Sequence, residues 1–254
     1  MLGTRSALDR ACVAIVGTRD ATPYGERVTR ELAGALARAG ACIISGLARG
    51  IDAAAHRAAL SCGGRTVAVL GTGVDVAYPV GHRALHAQIS ERGLLLAEQP
   101  PGSRAYKGSF PRRNRIIAAL AKVVVVIEAP ARSGALNTVS HAMELGRMVA
   151  AVPGPVDTPS SVGTNTLIRD GAHAITCIGD LLTLAGLTVP TPHPRVEPEG
   201  DERKVWEALA SGALDLEAIV ATTRLPANRC LAAVSALELA GAVECEITGA
   251  IRRR

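Results

Sequence analysis

A doubly wound, mostly parallel α/β sheet followed by a small winged-helix-like module is the architecture expected from this chain. Three observations lead there. Short runs of almost unbroken apolar residues recur between Ala11 and about Leu187, each followed by a stretch with helical periodicity. Several of these runs end in glycine, which suits a strand turning tightly into a helix. A proline-rich segment, TVPTPHPRVEPEG at Thr188–Gly200, then breaks the alternation and reads as an extended linker. With 254 residues, 48% of them hydrophobic, the chain can bury a large core, and disordered or fibrous classes are excluded.

Residues 1–10 read as a short N-terminal extension, and residues 11–187 as the main domain. Cys12–Val16 is the first strand and stops at Gly17; Pro23 opens a helix that ends at Gly40, the usual places for a helix-start proline and a terminating glycine. Cys42–Ile44 runs into Ser45-Gly46, with a helix around Ile51–Leu60. Thr66–Leu70 runs into Gly71-Thr72-Gly73, with a helix near His82–Arg92. Leu94–Ala97 leads to a basic loop and a helix at Arg112–Ala121. Val123–Ile127 precedes a helix at Gly134–Leu145, and Val149–Val152 ends in Pro153-Gly154. Right-handed crossovers would stack these units into a sandwich whose ligands bind beyond the strand ends. Residues 201–254 give helices at Asp201–Ala210, Leu216–Thr222 and Pro226–Ala240 and a strand at Val243–Ile247, hence the winged-helix expectation. That module holds eight acids against seven bases, so a role in gripping nucleic acid is weakly supported and a protein-contact or structural role stands beside it.

The net charge of +5 is concentrated rather than spread. Between Gln99 and Ile127 stand Arg104, Lys107, Arg112, Arg113, Arg115 and Lys122 with no acid, a local field that attracts anionic partners. No apolar run approaches the roughly 20 residues of a membrane span, and no basic-then-apolar leader opens the chain; a cytoplasmic protein without membrane contact is expected. The six cysteines form no CxxC pair and have no histidine at ligand spacing, so neither a metal site nor a redox motif is expected, and no cofactor is implied.

Gly17-Thr18-Arg19 fits a backbone approach to an anion with Arg19 as a planar donor, or equally a plain tight turn. Ser45-Gly46-Leu47-Ala48-Arg49-Gly50 suits phosphate in the same way, through two glycines, a hydroxyl and an arginine at a helix entrance. Asp52 reads as a first-turn residue favoured by the helix dipole. No GxGxxG, GxxxxGK[ST] or GxSxG pattern occurs, which argues against a dinucleotide site, a P-loop and a serine hydrolase. The basic segment Lys107–Arg115 carries the chain's only phenylalanine, Phe110. An aromatic flanked by cations suits single-stranded nucleic acid, whose bases stack while Lys and Arg hold phosphates. The alternative is that Phe110 plugs the core and the arginines are a solvated helix start, although the helix dipole disfavours cations there. Glu98 and Glu128 close two strands and fit hydrolase acids, helix caps or arginine partners alike; His56 and His141 fit packed or surface positions.

GTR at 17–19, SGLARGID at 45–52, FPRRNRII at 110–117, SGALNT at 133–138, GR at 146–147, VPG at 152–154 and GTNTLIRDGA at 163–172 occur together and in order. In this combination the chain resembles the DNA-processing protein A family (DprA, also called Smf) of bacterial natural transformation, over about residues 11–182. The resemblance implies a Rossmann-like core that binds single-stranded DNA without base specificity. It further implies a homodimer that protects incoming strands and loads the RecA recombinase, and no enzymatic activity. The candidate nucleic-acid-binding set is Arg19, Ser45, Gly46, Arg49, Gly50, Gly71, Gly73, Lys107, Phe110, Arg112, Arg113, Asn114, Arg115 and Arg147. Many members carry a helical domain before the core, whereas about ten residues precede the first strand here, so nothing assigned to that domain carries over. The alternative class is a nucleotide-handling enzyme such as a nucleoside-monophosphate phosphoribohydrolase, whose PGGxGT signature the chain lacks.

Overall fold

The computed structural model describes residues 1–187, 198–210, 212, 215–239, 242–245 and 250–253. Most of the expected linker, residues 188–197, lies outside the described residues. The chain divides into two compact units, Met1–Val189 and Pro190–Arg254.

The first unit contains strands β1 (Leu2–Gly3), β2 (Cys12–Val16), β3 (Cys42–Ser45), β4 (Arg65–Leu70), β5 (Leu94–Ala97), β6 (Val123–Val126), β7 (Met148–Ala151) and β8 (His173–Ala174). They form one sheet in the order β1-β5-β4-β3-β2-β6-β7-β8. Every pairing is parallel except β1 on β5, where Leu2 faces Leu95. Its helices are α1 (Pro23–Arg38), α2 (Ile51–Ser61), α3 (Arg83–Arg92), α4 (Ser109–Leu120), α5 (Gly134–Glu144), α6 (Val162–Arg169) and α7 (Ile178–Ala185). The six strands expected from apolar runs are all present. The short outer strands β1 and β8 and helices α6 and α7 are additional. Residues 1–10, expected as an extension, supply the antiparallel edge strand and a 3-10 turn at Arg5–Asp9 that buries Ala7.

Both faces of the sheet are covered, which is why its strands read as continuous apolar runs. Val13 and Ile15 of β2 pack with Ile43, Val123 and Val125 against Leu32 and Leu36 of α1, Ile51 of α2 and Leu181 of α7. The alternate residues Ala14 and Val16 join Ile44, Val67, Val124 and Val126 against Ile117 of α4 and Val139 of α5. Helix α1 starts where predicted: Pro23 is its first residue and the Thr22 hydroxyl accepts from the Gly25 amide at 3.1 Å. Helix α4 starts at Ser109, three residues before the expected Arg112, so Phe110 and Pro111 belong to its first turn. Proline is tolerated there because its missing N–H would have no helical partner.

The second unit holds α8 (Gly200–Ala210), α9 (Leu216–Thr223), α10 (Ala227–Leu239), β9 (Val243–Cys245) and β10 (Ile251–Arg253), the last two paired antiparallel. Val205, Ile219, Val234, Leu237 and Val243 share its core. The Asp215 carboxylate caps α9 by accepting from Ala218 N at 2.8 Å, and the Arg253 guanidinium lies 3.6 Å from the Trp206 ring centre. Three helices and a two-stranded ribbon make a winged helix.

Candidate nucleic-acid interface

From β2 the chain winds outward through β3, β4 and β5, then returns to place β6 on the other side of β2. The loops beyond β2 and β6 therefore diverge and leave a crevice at the C-terminal edge of the sheet, where open α/β folds bind ligands. That crevice is a cavity of about 610 Å³. Thr18 and Arg19 enter it from the loop after β2, Lys107 and Phe110 from the segment after β5, and Arg132, Ser133 and Asn137 from the segment after β6. A second cavity of about 310 Å³ adjoins it, sharing Arg19, Ala48, Phe110 and Arg113.

The crevice floor is built from charged groups held by backbone. Helix α4 turns Ser109, Arg113 and Ile117, four residues apart, toward the sheet. The buried Arg113 guanidinium donates to the carbonyl of Gly46, at 2.7 Å, and to that of Val69, tying α4 to the ends of β3 and β4. Burial pulls Arg113 down to about 10, with the Asp52 charge opposing it. Asp52 is buried in turn and accepts from the Gly46 and Ala48 amides at 3.0 and 3.3 Å; burial raises its pKa, against Arg113 and those amides. His56 hydrogen-bonds Thr66 through Nδ1 at 2.7 Å, leaves Nε2 without a partner among the described residues and is held neutral, its pKa lowered to about 3 by burial first and by Arg113 second.

Several sequence-derived candidates are thereby relocated. Arg113, expected on DNA, belongs to the floor, because the register that exposes Arg112 turns it inward. Ser45, expected as a phosphate donor, is fully buried and donates to the Ile15 carbonyl at 2.6 Å. Gly46 is where the Arg113 guanidinium passes, with no room for a Cβ. Gly50, at φ +70°, abuts the Thr18 carbonyl, and Ile51 N donates to that carbonyl at 3.3 Å, so the two anion-type loops brace each other. Asn114 organises the wall from beneath, donating to the Gly134 carbonyl at 3.3 Å and Asn137 Oδ1 at 3.2 Å. Gly73 donates to the Ser103 carbonyl at 2.9 Å and anchors the basic segment rather than facing the crevice. Arg147 precedes β7 and so stands at the opposite edge of the sheet, donating to the Ala119 carbonyl at 2.9 Å; the GR pair is not part of the crevice.

The carboxylates left open by the sequence have definite partners. Glu98 pairs with both Arg112, at 3.6 Å, and Arg115. Glu128 accepts from Thr22 N at 3.0 Å and from the Thr22 hydroxyl, serving the N-terminus of α1. Arg49 reaches Asp20 at 3.7 Å across exposed surface. Among the described residues Arg19, Lys107 and Arg132 have no ion-pair partner, and all three are exposed at the crevice.

Phe110 is half-buried over Gly71, where a Cβ would come within 3.0 Å of the ring. The Arg19 guanidinium sits 5.5 Å from its centre, and Tyr78 lies beside it, ring centres 5.3 Å apart and tilted 33°. The expectation of an aromatic among cations therefore meets a pair of rings. Arg132, Asn137 and Tyr78 escaped the residue-level reading; SGALNT marked Asn137 only as part of the resemblance, and nothing local marked Arg132 or Tyr78.

This geometry agrees with what the chain is similar to. The family model for DNA recombination-mediator protein A matches residues 1–186, and that for the DprA winged helix domain residues 189–246. A putative DNA processing protein DprA of Mycobacterium tuberculosis is 45% identical over 240 residues, which cover 91% of this chain and 62% of that protein. The chain thus spans less than two thirds of the length of that relative. The X-ray structure of DprA from Streptococcus pneumoniae superimposes with a TM-score of 0.69 at 43% identity, covering 72% of this chain and 64% of the other. A structure of DprA from Helicobacter pylori, described in terms of its single-stranded DNA binding mode, gives 0.67 at 34% identity, covering 72% and 83%. The match to the first family model extends over the whole sheet and the loops of its C-terminal edge, and on that ground the chain belongs to the DNA recombination-mediator protein A family.

Proposed function

We propose that this chain binds single-stranded DNA without regard to sequence. In this reading it shields incoming strands and loads the RecA recombinase onto them during natural transformation, as a homodimer in the cytoplasm and without catalysing a reaction. The observation that carries the reading is the set of exposed cations, Arg19, Lys107 and Arg132, standing without carboxylate partners among the described residues, around Phe110 at the switch point of the sheet. Phosphates on those cations and a base on the ring make a grip that every nucleotide satisfies, since each has the same phosphate and some π face. The single-stranded DNA binding mode of the Helicobacter pylori relative supports the same ligand. The carboxylates in and near the crevice argue against hydrolysis: Asp52 and Glu128 are engaged by backbone amides, Glu98 by two guanidiniums and Asp20 by that of Arg49.

The test is anisotropy of labelled oligo-dT and of a matched duplex over a range of salt. Log affinity for oligo-dT is expected to fall linearly with log salt, by about 0.7 per phosphate contacted, with the duplex weaker throughout. Equal affinity for duplex, or an affinity indifferent to salt, overturns the reading. Release of free base from nucleoside monophosphates would instead favour the phosphoribohydrolase alternative.

A further inference from the structure

The spacing of the cysteines in the sequence shows no pair, but the sheet makes one. Cys12 opens β2 and Cys42 opens β3, with the whole of α1 between them in the chain, and the two are register partners in the parallel ladder. Partners in a parallel ladder turn their side chains to the same face, and both thiols lie in one cluster with Ala7, Ala14 and Ile44. Neighbouring strands run roughly 4.8 Å apart, inside the span of roughly 4.4–6.8 Å between Cα atoms that a disulfide bridges. The register is pinned on both sides: Cys42 N donates to the Ala11 carbonyl at 2.9 Å and Lys122 N to that of Cys12 at 2.8 Å.

The two thiols differ in access and in chemistry. Cys12 is 7% exposed and Cys42 fully buried. A hydrogen bond from the Cys42 thiol lowers the Cys12 pKa against its burial, and the same bond, with burial, raises that of Cys42. Arg65, the register partner of Cys42 on its other side, and Arg10 bring positive charge that favours a thiolate there. Both cysteines sit at the strand ends opposite the crevice, and the proposed DNA grip uses neither.

We propose that Cys12 and Cys42 form a dithiol oxidation site, at which a peroxide oxidises Cys12 and Cys42 then closes a disulfide that locks β2 to β3. The proposal is independent of the reading that the crevice binds single-stranded DNA. In the first step the Cys12 thiolate attacks one peroxide oxygen; an S–O bond forms, the O–O bond breaks, and the departing hydroxide takes up the Cys12 proton as water. In the second, the Cys42 sulfur attacks the Cys12 sulfur; the S–S bond forms, the S–O bond breaks, and the hydroxide released leaves as water with the Cys42 proton. The two thiols give up two electrons and the peroxide becomes two waters. The closed loop contains α1, so the bond removes conformations from the unfolded chain while the strands keep their register.

The experiment treats the folded chain with hydrogen peroxide, alkylates the remaining thiols and digests with trypsin without reductant. Cleavage after Arg10, Arg19, Arg38 and Arg49 delivers the two thiols on separate peptides, 11–19 and 39–49, with one cysteine each. These peptides are expected to be joined, lighter by two hydrogens than their sum, and parted by dithiothreitol. The oxidised protein is expected to unfold at higher urea than the reduced, a rise absent from Cys12→Ala. Cys42→Ala is expected to leave Cys12 as a sulfenic acid that dimedone captures, and Cys12→Ala to leave Cys42 unoxidised. Peptides 11–19 and 39–49 that stay unlinked under peroxide that oxidises the exposed Cys177 would overturn the proposal. So would a cross-link that forms only in urea, or oxidised and reduced proteins that unfold together.

Discussion

The two edges of the sheet are both rich in cations, yet they use them differently. At the edge where strands begin and helices end, Arg92 donates to the Leu60 carbonyl, Arg65 to that of Arg92, Arg147 to that of Ala119 and the Lys122 ammonium to that of Ala185. Each of these carbonyls lies in the last turn of a helix or just past it, where acceptors are unpaired and the dipole favours positive charge. At the other edge helices begin, acids are favoured, and Asp52 and Glu128 take the places against the amides. Among the described residues Arg19, Lys107 and Arg132 have no carbonyl or carboxylate to satisfy them there. Positive charge at helix N-termini is comfortable when an anion comes to meet it. The difference between the edges lies in what surrounds a cation.

The largest expected effect concerns the one arginine at the crevice that behaves like those of the opposite edge. Arg113→Met leaves the Gly46 and Val69 carbonyls without their donor and the buried Asp52 without a nearby positive charge, and is expected to lower the unfolding free energy by about 3–5 kcal/mol in urea titrations. A change within about 0.5 kcal/mol, as for a surface substitution, would place Arg113 with the free cations instead. Next, Phe110→Ala is expected to cost about 1–3 kcal/mol of oligo-dT affinity with the salt dependence unchanged, since a ring contributes stacking and no charge. The third effect is on pH. His56 is held neutral in the fold, with its pKa lowered to about 3 from an ordinary 6.5, so the unfolded chain binds the extra proton between those values. Its contribution is complete above pH 6.5 and declines as the medium is acidified toward pH 3, by about 1.4 kcal/mol per pH unit. Urea titrations from pH 7 to 5 measure this slope, and His56→Gln is expected to reduce it. The smallest effect is at the opposite edge: Arg147→Ala removes a helix-end contact of about 0.3–1 kcal/mol and is expected to leave oligo-dT binding unaltered. A loss of binding there would erase the contrast between the edges.

What the sequence discloses and what it hides follow from how local each signal is. The six central strands are legible because burial on both faces makes each an unbroken apolar run. The outer strands Leu2–Gly3 and His173–Ala174 are too short to show a period and exist only through pairing. The basic segment is legible as charge, but its division is a matter of helical phase. Once α4 begins at Ser109, Arg113 falls in register with Ile117 and turns inward, while Arg112 and Arg115 face Glu98. Reading Pro111 as the end of a loop concealed that phase. Glu98 stands one residue outside the acid-free window, so the window overstated the free charge. Arg147 sits in a short motif whose position is decided by topology, and Tyr78 meets Phe110 only through the fold.

In the proposed binding mode the unpartnered cations of one edge hold the strand. The deciding measurement is the salt dependence of oligo-dT affinity for the wild type and for the combined Arg19→Ala, Lys107→Ala, Arg132→Ala variant. Loss of three phosphate contacts is expected to reduce the magnitude of the log–log slope by about 2, at roughly 0.7 per contact. An unchanged slope in the triple variant would show that the phosphates are held elsewhere and would contradict the account.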